Sequence, residues 1–322
     1  MLLDLIEYHW AEDIDDVLLL INRLDVRTVP LAGGTYLVGL QDKNIEAVVD
    51  LRDLELAYIS EDQRGLHIGS MTTLQQMVES QLLQEFATGL LSQSAQFSSS
   101  SRLIRNSATI GGTLGAGRAS QADLLTALVA MDAEAVVRSG SKKQFDLHSD
   151  TYDRPGLSLS GVVYKGKQER RLQCSEVSAE RRPNELIIEV VVPHPDVSCG
   201  TSLMRVARTP ADVALLNAAA LVEIQGGQYK RVRLVLGGAN MEPVRLFAVE
   251  RQFEGVPVMH PLNSQKLLSA LQAGMSGFRP PSDIRTSSSY RRVSGMGLAY
   301  RALEEALNVA YWRSMVSSER GS

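Results

Sequence analysis

The sequence predicts an α+β protein with two units that each bury a hydrophobic core. The chain has 322 residues, which is longer than most single domains. Apolar residues make up 44% and charged residues 22% of the sequence, a balance typical of a protein that folds around a buried core. Helix-like and strand-like segments alternate in the first half of the chain, whereas strand-like and then helix-like segments are grouped in the second half.

The first fifty or so residues have the pattern of a compact α/β unit. Apolar side chains at positions 14, 17, 18, 21 and 24 fall on one helical stripe behind an Asp-rich turn. Residues 29–32 have the pattern of a strand that runs directly into Gly33-Gly34-Thr35. Residues 47–51 supply a second apolar, β-branched strand.

The next part of the chain adds one strand and several helices. Residues 65–70 alternate as a strand, and a helix is predicted from residue 71 behind a pair of threonines that can cap it. Helical spacing continues over residues 82–97. A glycine-dense loop is predicted for residues 103–117, followed by a helix over residues 121–131.

Residues 139–183 are rich in Ser, Gly, Lys and Arg and have weak periodicity. This composition predicts either a long excursion or a partly mobile segment. The apolar run at residues 185–193 then predicts a strand.

The second unit has the pattern of a small antiparallel sheet backed by helices. Strands are predicted at residues 201–207, 218–224 and 229–236, and Gly226-Gly227 joins the last two. Helical patterns follow at residues 245–253, 264–275 and 290–312.

Charge and hydropathy argue against two classes of partner. The sequence has 33 Lys and Arg against 37 Asp and Glu, so its formal net charge of -4 favours neither nucleic acid nor an anionic membrane. The longest apolar stretches, near residues 186–192 and 213–222, are much shorter than the roughly 20 residues that cross a bilayer. The first ten residues carry acids instead of the basic flank of a secretory signal, and a cytoplasmic protein is predicted.

The two cysteines, Cys174 and Cys199, cannot hold an iron–sulfur cluster, which needs about four thiolates, and they form no CxxC pair. So few thiols in a chain of this size predict a reducing compartment and free cysteines. Any redox chemistry therefore needs another cofactor.

Two glycine segments are candidates for binding phosphate. Gly33-Gly34-Thr35 ends a strand, and its backbone amides are not obstructed by large side chains. Such a pair alone is more often a plain turn. The second segment, Thr109 to Thr113, adds two hydroxyl groups and precedes a helix, whose amino-terminal end favours an anion. Together the segments predict that exposed amides from both hold the two halves of a pyrophosphate.

Other kinds of site have little support in the sequence. Neither glycine segment contains the GxGxxG pattern of a Rossmann site. The five histidines are scattered, with no HExxH and no cysteine or carboxylate at metal-ligand spacing, so no metal site is predicted. A GxSxG nucleophile elbow is also absent.

Several motifs, read in this order, resemble one known family. They are Ala32-Gly-Gly-Thr35, Ile68-Gly-Ser-Met-Thr-Thr73, Ile104-Arg-Asn-Ser-Ala-Thr-Ile-Gly-Gly112, Arg205-Val-Ala-Arg-Thr-Pro-Ala-Asp212 and the segment from Asp283 to Arg292. The chain resembles the FAD-binding (medium) subunit of the molybdenum hydroxylases, the group that includes aerobic carbon monoxide dehydrogenase and the xanthine dehydrogenases. The resemblance covers almost the whole chain.

The resemblance implies a fold and a division into domains. Residues 1–195 would form an FAD-binding domain of the p-cresol methylhydroxylase type, with two α/β subdomains at about 1–55 and 56–195. Residues 196–322 would form a smaller α+β domain of the carbon monoxide dehydrogenase flavoprotein type.

The resemblance also implies which residues bind the cofactor. The first pyrophosphate loop corresponds to Leu31, Ala32, Gly33, Gly34, Thr35, Tyr36 and Leu37, and the second to Thr109, Ile110, Gly111, Gly112 and Thr113. Asp123 matches the carboxylate that bonds cofactor hydroxyls, and Ile187 matches an aliphatic residue that packs on the isoalloxazine. Arg205 stands where the family usually has a lysine beside the flavin. The residue types alone also fit a helix cap at Asp123, a core side chain at Ile187 and a surface ion pair at Arg205.

The function implied is electron transfer. An FAD-carrying subunit of this kind takes electrons from a two-iron ferredoxin-like small subunit and passes them to NAD, a quinone or another acceptor. A molybdopterin-binding large subunit oxidises the substrate. Two alternatives stay open: a self-sufficient flavin oxidoreductase, and a scaffold subunit that has lost its cofactor.

Overall fold

A computed structural model describes residues 5–40, 42–117, 122–144 and 162–320 of the chain. In these residues, three sheets with helices packed on them form a mixed fold, which confirms the α+β prediction. None of the described helices is both long enough and apolar enough to span a bilayer.

The first sheet is small and parallel. Its strands are β1 (Glu7–Trp10), β2 (Thr28–Leu31) and β3 (Ala47–Asp50), in the order β1-β3-β2. Helix α1 (Ile14–Ile21) connects β1 to β2, and the side chain of Asp13 caps it by accepting the Asp16 amide at 2.8 Å. Both predicted strands and the helix of this unit are confirmed, but the helix ends at Ile21, and Leu24, predicted on its apolar stripe, lies beyond it and is exposed.

The second sheet is antiparallel and has five strands. They are β4 (Ile59–Asp62), β5 (Gly65–Gly69), β6 (Glu134–Gln144), β7 (Val162–Gln173) and β8 (Glu185–Val192). The order is β4-β5-β8-β6-β7, so the apolar strand β8 lies at the centre.

Six α-helices among the described residues lie between β5 and β6. They are α2 (Leu74–Glu79), α3 (Gln81–Glu85), α4 (Leu90–Ser98), α5 (Arg102–Ser107), α6 (Ile110–Ala116) and α7 (Ala122–Ala130). Thr73 caps α2 as its sequence position suggests, since its hydroxyl accepts the Gln76 amide at 3.2 Å. The prediction of a glycine-dense loop over residues 103–117 is wrong, because most of that segment forms α5 and α6.

The predicted excursion over residues 139–183 is also partly wrong. Residues 139–144 continue β6 and pair with β7, and a short helix, α8 (Val177–Glu180), follows β7. Polar residues on these strands conceal the period-2 pattern that identifies a half-buried strand. The middle of the excursion, residues 145–161, lies outside the described residues.

The third sheet is an antiparallel meander, as predicted. Its strands are β9 (Gly200–Val206), β10 (Leu216–Gln225), β11 (Gln228–Gly238) and β12 (Met241–Arg245), in the order β12-β11-β10-β9. Gly226 and Gly227 make the turn between β10 and β11 with φ values of 59° and 73°. Helices α9 (Phe247–Phe253), α10 (Ser264–Gly274) and α11 (Ser288–Arg320) back the sheet.

Three clusters of buried apolar residues hold these layers together. One lies between α1, the first sheet and one face of the second sheet. A second joins the other face of the second sheet to helices α2, α3, α4, α6 and α7 and reaches residues of β9, β10 and β11. The third fills the space between the meander and α9 to α11. Helix α7 therefore lies where the second and third sheets meet, with contacts to both β10 and β11.

Candidate cofactor site

A cleft of about 610 Å³ is lined by residues from the first sheet, the second sheet and helix α6. This volume is in the range of ligand-binding clefts in proteins. Ten of the residues singled out in the sequence line it: residues 32–37, Thr109, Gly111, Gly112 and Ile187. Leu31, Ile110, Thr113, Asp123 and Arg205 do not line it.

The loop after β2 offers unpaired backbone amides to the cleft. In the described part of the chain, the amides of Gly33, Gly34, Thr35 and Tyr36 donate to no protein acceptor. Gly34 has a φ of 69°, a conformation that glycine adopts at little cost. A row of free amides in such a turn is a binding site for an anion.

The segment from Thr109 to Thr113 differs from the prediction of exposed amides. Residues 110–116 are helical, and carbonyl groups that follow β5 meet the start of this helix. The amide of Ile110 donates to the Thr72 carbonyl at 3.0 Å, that of Gly111 to the Ser70 carbonyl at 2.8 Å, and that of Gly112 to the Thr109 hydroxyl at 3.0 Å. The prediction that these amides are exposed is therefore wrong, since each already has a protein acceptor.

The glycines of this segment instead allow neighbouring atoms to come close to its backbone, because they have no side chain. A Cβ atom on Gly111 would lie 2.6 Å from the Cβ of Ser70 and 2.8 Å from its carbonyl oxygen, so only glycine fits there. Gly112 lies beside the cleft, and a Cβ atom on it would be 3.8 Å from the Cβ of Ala32, its nearest neighbour outside the segment. The Thr109 hydroxyl accepts the Gly112 amide and keeps its own proton to donate.

Ser70 is a cleft residue to which the sequence motif assigns no role. It is 3% exposed, and its hydroxyl has no hydrogen-bond partner among the described residues. A buried hydroxyl without a partner costs free energy unless a ligand or water satisfies it. Free amides, the Ser70 hydroxyl and the Thr109 hydroxyl together suit a ligand with several phosphate oxygens.

The cleft also has an apolar part. Ile187 of β8 is buried, and a Cβ on Gly115 of α6 would lie 3.9 Å from its Cδ1 atom. Gly115 and Ala116, which have little or no side chain, therefore leave space in the cleft beside an aliphatic side chain. Such a space fits a planar ring system, so the cleft suits a ligand that joins phosphates to an aromatic ring.

Asp123 and Arg205 lie together at the contact between α7 and the third sheet. Arg205 Nη2 is 3.5 Å from Asp123 Oδ2, and Asn217 Nδ2 donates to Asp123 Oδ1 at 2.8 Å. Burial raises the pKa of the Asp123 carboxyl, and the Arg205 charge opposes this effect. Thr126 completes the group by donating to Asn217 Oδ1 at 2.9 Å. Residues 118–121, between α6 and Asp123, lie outside the described residues.

Comparison with known proteins identifies the two halves of the chain. A family described as "FAD binding domain in molybdopterin dehydrogenase" matches residues 4–195. A second, described as "CO dehydrogenase flavoprotein C-terminal domain", matches residues 202–306.

Proteins similar to this chain include the medium chains of two dehydrogenases. The glyceraldehyde dehydrogenase medium chain of Sulfolobus acidocaldarius is 24% identical over 92% of this chain and 97% of its own length. The carbon monoxide dehydrogenase medium chain of Afipia carboxidovorans is 26% identical over 93% of this chain and 96% of its own. A solved carbon monoxide dehydrogenase chain from Hydrogenophaga pseudoflava shares the fold, with a TM-score of 0.78 at 21% identity over 95% of this chain and 98% of that one.

The resemblance seen in the sequence motifs is thus confirmed, and so is the prediction of FAD as the cofactor. The matched FAD-binding segment contains both glycine segments, Ser70 and Ile187. The chain belongs to the family of FAD-binding domains in molybdopterin dehydrogenases, as a medium subunit of an oxidoreductase of the carbon monoxide and xanthine dehydrogenase kind.

Proposed function

We propose that this chain binds one FAD in the cleft between the first and second sheets and passes electrons from an iron–sulfur partner to a final acceptor. The observation that carries the proposal is the row of free amides from Gly33 to Tyr36, which faces the same cleft as the partnerless hydroxyl of Ser70. These donors fit the oxygens of a diphosphate. FAD bound here would accept electrons one at a time and deliver two.

Each part of the site has a distinct task. The amides of residues 33–36 bind the diphosphate, and the hydroxyls of Ser70 and Thr109 donate to its remaining oxygens. Gly111 and Gly112 have no side chains and so leave space for the diphosphate. Ile187, together with Gly115, packs against the ring system and excludes water from that face.

Asp123 and Arg205 act from the edge of the site. Asp123, held by Asn217, accepts hydrogen bonds from cofactor hydroxyls. Arg205 places a fixed positive charge near the ring, where it stabilises negative charge on the reduced flavin. Leu31, Ile110 and Thr113 support the two glycine segments from outside the cleft.

The chain needs partners to complete the electron path. Its two cysteines, Cys174 and Cys199, are buried and free, and burial raises the pKa of the Cys199 thiol to about 12. No group of metal-ligating side chains occurs among the described residues. We therefore place the iron–sulfur clusters on a two-iron ferredoxin-like small subunit and the molybdopterin on a large subunit. NAD, a quinone or another acceptor takes the electrons.

The proposed division into domains follows the sheets. Residues 1–195 contain the first two sheets, with subdomains at about 1–55 and 56–195, and residues 196–322 contain the meander, which begins at Gly200. The matched family segments, 4–195 and 202–306, are compatible with a boundary near residue 196.

A spectrum and a reduction assay test the proposal. The purified chain should show flavin absorption with about one FAD per chain, and candidate substrates should reduce it only when the partner subunits are present. A chain that takes up no flavin would instead be a scaffold. Reduction by a substrate without partners would identify a self-sufficient flavin oxidoreductase.

A further inference from the structure

Three arginines line the cleft, and two of them already have carboxylate partners. Arg23 bonds Glu7 and lies 3.1 Å from Asp25. Arg27 lies 3.5 Å from Asp42. Acids of the protein therefore balance the charges of Arg23 and Arg27.

Arg181, the third, has no carboxylate at ion-pair distance among the described residues. Its Nη1 atom donates to two main-chain carbonyls, those of Arg182 at 3.3 Å and Glu185 at 3.0 Å. Burial lowers the pKa of the Arg181 guanidinium, which means that the fold keeps this charge at a cost. A positive charge held in this way beside a cleft favours an anionic ligand.

Glu185 is close enough to act electrostatically on Arg181, but its carboxylate has other partners. Arg170 binds it through both oxygens, with Nε to Oε1 at 2.8 Å and Nη2 to Oε2 at 2.9 Å. The amide of Arg182 donates to Oε2 at 2.8 Å. Bidentate hydrogen bonding is the strongest geometry for an arginine–carboxylate pair. The Glu185 carboxylate therefore stays bound to Arg170 and does not turn toward Arg181.

We infer that Arg181 is an anion-binding residue of the cleft and that its guanidinium pairs with the diphosphate of the bound cofactor. This inference rests on the proposed function. The amides of residues 33–36 supply hydrogen bonds but no net charge, whereas a diphosphate brings negative charge into a partly buried cleft. Arg181 supplies compensating charge and a planar set of donors that matches phosphate oxygens.

The test compares two ligands that share the flavin ring. FAD carries a diphosphate and an adenosine, and riboflavin has neither. Dissociation constants for both are measured by flavin fluorescence on the apo chain for wild type, Arg181→Gln and Arg181→Lys. Arg182→Gln is the matched control, because Arg182 is exposed, does not line the cleft and makes its hydrogen bond to Glu185 through its main chain.

We expect Arg181→Gln to weaken FAD binding about ten- to hundredfold and to leave riboflavin binding within about twofold of wild type. The dissociation constant of Arg181→Lys for FAD should lie between those of wild type and Arg181→Gln. That of Arg182→Gln should match wild type. Unchanged FAD binding in Arg181→Gln overturns the inference, as does an equal loss of FAD and riboflavin. A wild type that binds neither ligand contradicts the proposed function itself.

A second measurement needs no substitution. Phenylglyoxal modifies arginine side chains, and peptide mass spectrometry locates the modified residue. In the wild-type chain, FAD should protect Arg181 from modification, whereas riboflavin at equal occupancy should not. Equal protection by both ligands, or by neither, overturns the inference even if Arg181→Gln fails to fold.

Discussion

The carbonyl oxygen of Ser107 occupies the space that a Cβ atom on Gly33 would need. The loop after β2 therefore packs backbone to backbone against the junction of α5 and α6. This contact holds the free amides of the first loop next to the second glycine segment. It also gives Gly33 a role in packing that is separate from any contact with the cofactor.

Gly33→Ala should separate the two glycine segments. The added methyl group overlaps main-chain atoms, so we expect about 1–3 kcal/mol of destabilisation together with loss of FAD from the purified chain. Thermal unfolding and flavin absorbance measure the two effects. Gly39→Ala is the control, because a Cβ there meets nothing within 4 Å. Full FAD content in Gly33→Ala would show that the close packing is not needed.

Gly112→Asp should abolish flavin retention and leave the chain folded. A Cβ on Gly112 approaches only the Thr109 hydroxyl, at 3.0 Å, and Ala32, so the side chain has room to enter the cleft. Its negative charge would repel a diphosphate. Absorbance and circular dichroism check the two halves of this prediction. Gly297→Asp, at an exposed helix position, is the control. Stoichiometric FAD in Gly112→Asp would refute this placement of the diphosphate.

Arg205→Ala should lower the midpoint potential of the bound flavin. The substitution removes a positive charge from beside Asp123. Losing this charge disfavours a reduced, more negative flavin, and we expect a decrease of about 30 mV or more. A redox titration measures the potential, with Arg205→Lys expected to restore most of it. Arg208→Ala, which removes an exposed arginine, should leave it unchanged. An unchanged potential in Arg205→Ala would place Arg205 away from the flavin.

Asp123→Asn should change how stability depends on pH. Burial raises the pKa of Asp123 in the folded chain above its unfolded value of about 4, so the folded state binds this proton more tightly. The stability that this carboxyl contributes is full below pH 4 or so and falls as the pH rises through the folded pKa. The free energy of unfolding of Asp123→Asn minus that of wild type should therefore increase as the pH rises above about 4 and through the folded pKa of Asp123. Urea unfolding of the apo chain measures it, and a decrease with pH would contradict the raised pKa.

Much of the fold could be predicted from local pattern. Strands such as β8 and β10 are mostly apolar, and the threonine before α2 identifies its start. Helix α6 could not be predicted, because its glycines disfavour a helix in isolation. Carbonyls of Ser70 and Thr72, from a segment about forty residues earlier in the chain, stabilise its first turn.

Contacts between residues far apart in the chain also limit how much of the site can be predicted from the sequence. The glycine segments are visible in the sequence, but the pairing state of their amides depends on which distant carbonyls they meet. Likewise, the sequence does not reveal that Arg181 lacks a carboxylate partner, because this follows from Arg170 on β7 binding Glu185 on β8. Ser70 is part of a motif, and its lack of a partner becomes visible only in three dimensions.

A structure of the chain bound to FAD would show whether residues 33–36 bind the diphosphate. We predict that diphosphate oxygens lie about 3 Å from amide nitrogens of residues 33–36, with the ring against Ile187. A cofactor bound elsewhere, or one whose diphosphate leaves these amides without a partner, would show that this loop is not the diphosphate site.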